Sequence, residues 1–81
     1  MDKVEAWESL AHLLASFEAI AEDGAVALLK IDGERPDARF TVVLTGGKLG
    51  QDPFRMDGDS LRQLLAKAVS FYADAPRGPA A

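Results

Sequence analysis

The sequence predicts an α+β fold: a two-layer sandwich in the order helix, β-hairpin, short third strand and helix, with an antiparallel sheet that carries both helices on one face. Two observations predict this fold. Apolar residues recur with a helical period over residues 3–22 and 59–73. Between these segments, residues 25–32 and 39–45 are rich in Val, Leu, Ile, Phe and Thr, which is typical of strands.

The first helix is predicted over residues 3–22. Asp2 and Glu5 have the spacing of a capping box, and Gly24 supplies the left-handed residue that commonly ends a helix. The apolar arc of this helix covers about 180°, wider than the stripe that packing on one side requires. The arc holds Ala6, Trp7, Leu10, Ala11, Leu13, Leu14, Phe17, Ile20 and Ala21.

The two strands are predicted to form a hairpin. The simplest register pairs Asp32 with Arg39, whose opposite charges attract across the strands, and continues to Ala27 opposite Leu44. Because side chains alternate along a strand, this register turns one set of apolar residues towards the helices. The predicted core face carries Ala27, Leu29, Ile31, Phe40, Val42 and Leu44.

The opposite face of the hairpin keeps Val26, Leu28 and Val43, which no register can turn towards the core together with Leu29. So narrow a sheet offers its helices only one face, and an uncovered apolar cluster in a small domain indicates contact with another chain. Open sheet edges invite similar pairing. The predicted protein-contact residues are Val26, Leu28, Lys30, Arg39, Thr41 and Val43, with the polar ones forming a rim.

A loop and a short edge strand over 54–56 are predicted to precede the second helix. Two caps fit its start: Ser60, with a capping-box Gln three residues later, or Asp57, with a hydrophobic staple. On the apolar arc of this helix, Leu64 is expected to be nearly fully buried. The same is expected of Phe40 in the sheet.

The 81 residues are expected to form one domain over 1–75, followed by a flexible tail at 76–81. Cysteine is absent, which favours a reducing compartment. Residues 1–5 do not open a signal peptide, and no apolar run reaches the roughly 20 residues that a membrane span needs. A cytoplasmic protein is therefore expected.

The net charge of −4 is concentrated in the first helix. Through Gly24, six acids stand against Lys3 alone, whereas eight basic residues face seven acids in the rest of the chain. Such a field repels the phosphates of nucleic acids and would steer a basic protein towards the first helix. Nucleic acid is therefore not the expected partner.

Glu8, His12 and Ser16 lie four residues apart, so they project from one side of the first helix. The same residue types build hydrolytic triads. Here the row falls on the predicted solvent side, without a pocket, a strained turn or oxyanion donors. We therefore expect no catalytic residues and predict that His12→Ala changes nothing; a small enzyme that uses this row is the alternative.

No cofactor and no metal are expected. Residues 46–50 are rich in glycine and follow a strand, but they lack the sequence of a phosphate-binding loop and do not run straight into a helix. Asp52, Asp57 and Asp59 do not have the spacing of a calcium loop, and helix capping explains them.

The predicted order of elements is also that of double-stranded-RNA-binding domains, whose second helix begins with basic residues that reach phosphates. This chain has Asp57 and Asp59 there. Weak nucleic-acid binding is therefore a second alternative.

These observations favour a protein–protein interaction module, such as a small adaptor, an inhibitor or a chaperone-like domain. Its expected partner is a second copy or a basic protein. We expect a homodimer that forms through the exposed sheet face or edge.

Overall fold

The structure, a computed structural model, describes residues 3–76. Both helices pack on the same face of a three-stranded antiparallel sheet, α1 on β1, and α2 on β2 and β3, so the predicted fold class is confirmed. β2 is the central strand. The elements are α1 (Lys3–Glu22), β1 (Ala25–Ile31), β2 (Phe40–Gly46), a 3-10 turn (Gly47–Leu49), β3 (Phe54–Gly58) and α2 (Leu61–Asp74).

The register between β1 and β2 is the predicted one at every pair. Boundaries differ by one or two residues: β1 ends at Ile31, β2 begins at Phe40, and α2 begins at Leu61. The third strand is longer than predicted, because Asp57 and Gly58 continue the pairing with β2.

The core lies between the sheet and the two helices. Val42 and Leu44 of the central strand and Leu65 of α2 have no exposed surface, and Leu64 is nearly as buried, as predicted. Further buried apolar side chains come from every element: Phe17, Ile20, Ala25, Leu49, Phe54, Ala68 and Tyr72.

Four residues of the predicted core face are less buried than expected, and Ala27 and Leu29 among them are half-buried. Ile31 is 62% exposed, and Phe40 opposite it is only half-buried. Burial along α1 is greatest in its C-terminal half, at Phe17 and Ile20, and falls towards Trp7, so the helix leaves the far end of β1 uncovered.

The predicted attraction between the side chains of Asp32 and Arg39 does not form. Their backbones do pair, since the Asp32 N–H donates to the Arg39 carbonyl at 2.8 Å. The Asp32 carboxylate instead lies 3.7 Å from Lys30 Nζ, and Arg39 Nε donates to the carbonyl of Arg35.

Of the two predicted caps of α2, Ser60 is the correct one: its hydroxyl accepts the Gln63 N–H at 3.2 Å. The predicted cap of α1 at Asp2 and the tail beyond Pro76 lie outside the described residues. No helix within 3–76 is long and apolar enough to cross a membrane.

The Tyr72 hydroxyl joins three distant segments. It donates to Asp23 Oδ2 at 2.6 Å, just after α1, and accepts the Lys48 N–H from the 3-10 turn at 3.0 Å. A Cβ on Gly47 would lie 2.3 Å from this hydroxyl, so only glycine fits beside it. Lys48 Nζ also donates to the Ala73 carbonyl, which holds the turn against the end of α2.

Candidate protein-binding surface

The sheet face turned away from the helices carries the predicted protein-contact residues. Val26 and Leu28 of β1 are 55% and 57% exposed there. Val43, opposite Leu28, is half-buried, and Lys30 and Arg39 are exposed towards the hairpin loop. With the residues that β3 adds, this open face consists of Val26, Leu28, Lys30, Arg39, Thr41, Val43, Thr45, Arg55 and Asp57.

A polar network crosses the open face at Asp57. The Thr41 hydroxyl donates to Asp57 Oδ1, while Arg55 Nη2 and Arg35 Nη1 lie 3.7 and 3.8 Å from the same oxygen. The hydroxyl lowers the pKa of Asp57 most, and the charges of Arg55, Arg35 and Lys30 lower it further. Partial burial opposes them, but the pKa of Asp57 stays below its ordinary 3.8.

Thr41 differs from its predicted place at the rim. It is only 5% exposed and lies beneath its neighbours, where its hydroxyl serves Asp57. Arg55 is the exposed polar residue on that side. Sequence reasoning did not place Arg55 on this face because it gave the third strand no register against β2, and it left Asp57 outside that strand.

A second apolar surface lies on α1. Trp7 and Leu14, two turns apart on one flank of the wide apolar arc, are 67% and 44% exposed. The opposite flank holds the half-buried Ser9 and Ser16. The handedness of the helix and of the strands turns this opposite flank towards α2.

The exposed flank of α1 therefore lies over the outer edge of β1. β1 has β2 on one side and, within residues 3–76, no strand on the other. Val26, Leu28 and Ile31 are exposed on this same edge strand. We call the combined surface the α1–β1 wall; it consists of Trp7, Leu14, Val26, Leu28 and Ile31.

A groove of about 880 Å³ runs along the opposite edge, between β3 and α2. Phe54 and Met56 form its floor, and Phe71, which stacks on Phe54 with ring centroids 4.8 Å apart, forms one side. Lys67 and Asp74 stand at its rim. The groove could not be predicted from the sequence, because it depends on how far α2 overhangs the sheet edge.

The predicted Glu8–His12–Ser16 row lies on α1, with Glu8 and His12 exposed and Ser16 half-buried. None of the three lines the groove beside β3. Within residues 3–76, no three His, Cys, Asp or Glu side chains come together as a metal site would require.

The exposed apolar side chains of α1 and β1 thus lie along one edge of the domain, with Trp7, Leu14 and Ile31 on the helix side of the sheet and Val26 and Leu28 on its open face. Comparison of the chain with protein-family models, with curated proteins and with solved structures finds no match.

Proposed function

We propose that the chain is a protein–protein interaction module that binds through the α1–β1 wall. One observation carries this proposal. Of the six large hydrophobic side chains that are exposed in the described part of the chain, five belong to the wall, and Phe71 alone lies elsewhere. Exposed hydrophobic residues are common singly, but contiguous patches mark interaction sites.

The physical reason lies in what a partner would remove from water. Complete burial of a large aliphatic or aromatic side chain contributes about 1.5–3 kcal/mol. A wall of five such side chains can therefore offset the entropy cost of association, whereas isolated surface residues cannot. Lys30 and Arg39 are exposed at the hairpin end of the open face and would lie at the rim of such a contact.

An adaptor, an inhibitor or a chaperone-like domain acts by this kind of contact and needs no catalytic group. Cysteine is absent from all 81 residues, which favours a reducing compartment, so the cytoplasm is the proposed location.

Site-specific photo-cross-linking tests the proposal. A benzoyl-phenylalanine replaces Trp7 in the wall or, as matched control, Phe71 outside it; both are exposed aromatic residues on helices. In cells of the native host we expect a discrete protein adduct from position 7 and none from position 71.

The captured protein is then purified and its affinity measured. Leu14→Glu should weaken binding at least about tenfold, since it buries a charge in an apolar contact. Ala66→Glu, on the exposed side of α2, adds the same charge and should leave binding unchanged. Equal loss in both variants, or no adduct from position 7, would contradict the proposal.

Nucleic-acid binding is the second candidate, and the open face gives one observation in its favour. The side chains there and beside it include Lys30, Arg35, Arg39 and Arg55 against Asp32 and Asp57. Titration with single- and double-stranded RNA decides it: binding that weakens steeply with salt, and weakens further in Arg55→Gln, would favour this candidate over the module.

A further inference from the structure

We propose that the partner of the α1–β1 wall is a second copy of this chain, joined by antiparallel pairing of the two β1 strands about a two-fold axis at Leu28. The proposal rests on the proposed function, because it names the occupant of the same surface. The result is a six-stranded sheet with β1 and its copy at the centre and four helices on one face.

The backbone of β1 is oriented for this pairing. The Asp32 N–H donates to the carbonyl of Arg39 directly opposite, and in an antiparallel ladder only every second pair is bonded in this way. Lys30 and Leu28 therefore direct their backbone groups towards β2. The backbone N–H and C=O groups of the alternate residues point to the open side: Ala25, Ala27, Leu29 and Ile31.

The sequence of β1 is complementary to itself in the antiparallel direction. Full overlap of its seven residues places Leu28 opposite its own copy. Ala27 then lies opposite Leu29 of the second copy, and Ala25 opposite Ile31. On the helix side of the joined sheet each large side chain therefore meets a small one, while on the open face Leu28 meets its copy and Val26 meets Lys30.

Other registers are less favourable. An axis at Leu29 shortens the overlap and leaves Ala25 and Val26 without strand partners, while an axis at Lys30 brings two ammonium groups face to face. An axis at Ala27 leaves Ile31 without a strand partner.

The helices follow the strands. α1 lies over β1 and runs against it, so the two α1 helices lie side by side and antiparallel, with the flanks of Trp7 and Leu14 facing each other. Full burial of an aromatic side chain removes about 150–250 Å² from water. Because Trp7 is 67% exposed in the single chain, this helix contact adds apolar area to what the paired strands remove from water.

The two sheet edges differ in what they permit. β3 turns the backbone groups of Arg55 and Asp57 outwards, and Pro53 precedes it without an N–H. Charged residues and proline are the features by which natural edge strands resist pairing. β1 has neither along its outer edge, so it is the edge open to a second copy.

Proline substitutions at the two edges test which one pairs. Ala27→Pro removes an outward N–H of β1, and Arg55→Pro removes the equivalent group of β3; both positions tolerate proline in a folded monomer. Sedimentation equilibrium up to about 0.5 mM, a concentration suited to a micromolar dimer, should show dimers for the wild type and Arg55→Pro and monomers for Ala27→Pro. Circular dichroism checks that each variant folds.

Leu14→Glu keeps this test decisive if Ala27→Pro does not fold. The change lies on the surface of α1 and leaves the strand intact, and it should raise the dimer dissociation constant at least about tenfold. A monomeric wild type, or a dimer unaffected by Leu14→Glu, would overturn the proposal.

Introduced cysteines test the register, since the chain has no cysteine of its own. Leu28 and its copy would form a non-hydrogen-bonded pair, in which the two Cα atoms lie about 4.5 Å apart. A disulfide can span this distance. Leu28→Cys should therefore oxidise to a covalent dimer. Lys30→Cys is the control, because residue 30 lies on the same face but four residues along the strand from residue 30 of the copy. It should remain reduced, and oxidation of Lys30→Cys faster than that of Leu28→Cys would refute this register.

The outcomes separate this inference from the proposed function. An adduct at position 7 with the mass of a second copy supports both. If the chain sediments as a monomer and position 7 cross-links to a different protein, the proposed interaction module is supported. The proposal that the partner is a second copy is then contradicted.

Discussion

At the scale of single residues, Asp57 interacts with three side chains on and beside the open face, and the sequence analysis did not place it there. Its carboxylate accepts the Thr41 hydroxyl and is approached by Arg55 and Arg35, which together hold its pKa below 3.8. A carboxyl group whose pKa is depressed on folding stabilises the folded chain fully above its unfolded pKa. That stabilisation is lost as the pH falls through the lower, folded value.

We expect Thr41→Val to raise the pKa of Asp57 towards 3.8, because it removes the hydrogen bond that lowers this pKa most. The measurement is an NMR titration of the Asp57 carboxyl carbon between pH 2 and pH 7. Thr45→Val, on the same strand and face but without a bond to Asp57, is the control and should leave the titration unchanged. Equal pKa values in the wild type and Thr41→Val would show that the arginines alone cause the shift.

At the scale of elements, the strands were the most predictable part of the chain. Alternation fixes which side chains share a face, so the β1–β2 register followed from the sequence at every pair. The exposure of Ile31 did not follow, because it depends on where α1 crosses the sheet. For the same reason the wheel of α1 could identify Trp7 and Leu14 as apolar but could not divide the arc between core and surface.

Truncation to alanine should distinguish the apolar side chains that are buried in the core from those that are exposed at the surface. Leu64→Ala, at a side chain 3% exposed, should cost about 2–5 kcal/mol of unfolding free energy. Ile31→Ala, which the sequence placed in the core as well, should cost no more than about 0.5 kcal/mol. Urea denaturation of dilute protein measures both, because dilution keeps any dimer contact of Ile31 out of the result. A large loss in Ile31→Ala would mean that the end of β1 is covered after all.

At the scale of the whole molecule, negative charge lies beside the exposed apolar surface, and the two have opposite effects on self-association. The chain carries −4 overall, and the acids of α1, such as Glu8 and Glu18, flank the apolar stripe of the wall. Two such walls in contact repel each other electrostatically while their apolar side chains attract. The sequence alone indicated the acidic helix, but it did not show that the helix stands beside an open strand edge.

Added salt should therefore strengthen the proposed dimer. Screening at about 0.5 M shortens the reach of charge to a few ångströms, compared with more than 10 Å at about 0.05 M. We expect the dissociation constant from sedimentation to fall over this range of sodium chloride. A dissociation constant that rises with salt would mean that opposite charges hold the copies together, as they would if the open face bound α1.

The hydroxyl of Tyr72 has a consequence for how the domain opens. It bonds to Asp23 and to the Lys48 amide, which stand 49 and 24 residues before it in the chain. Both contacts close long loops through one hydroxyl, so they are lost together when α2 detaches. The last turn of α2, where a helix ordinarily frays, should therefore unfold together with the rest of the domain. Hydrogen exchange at the Lys48 amide consequently reports unfolding of the assembled domain rather than local breathing of a surface turn.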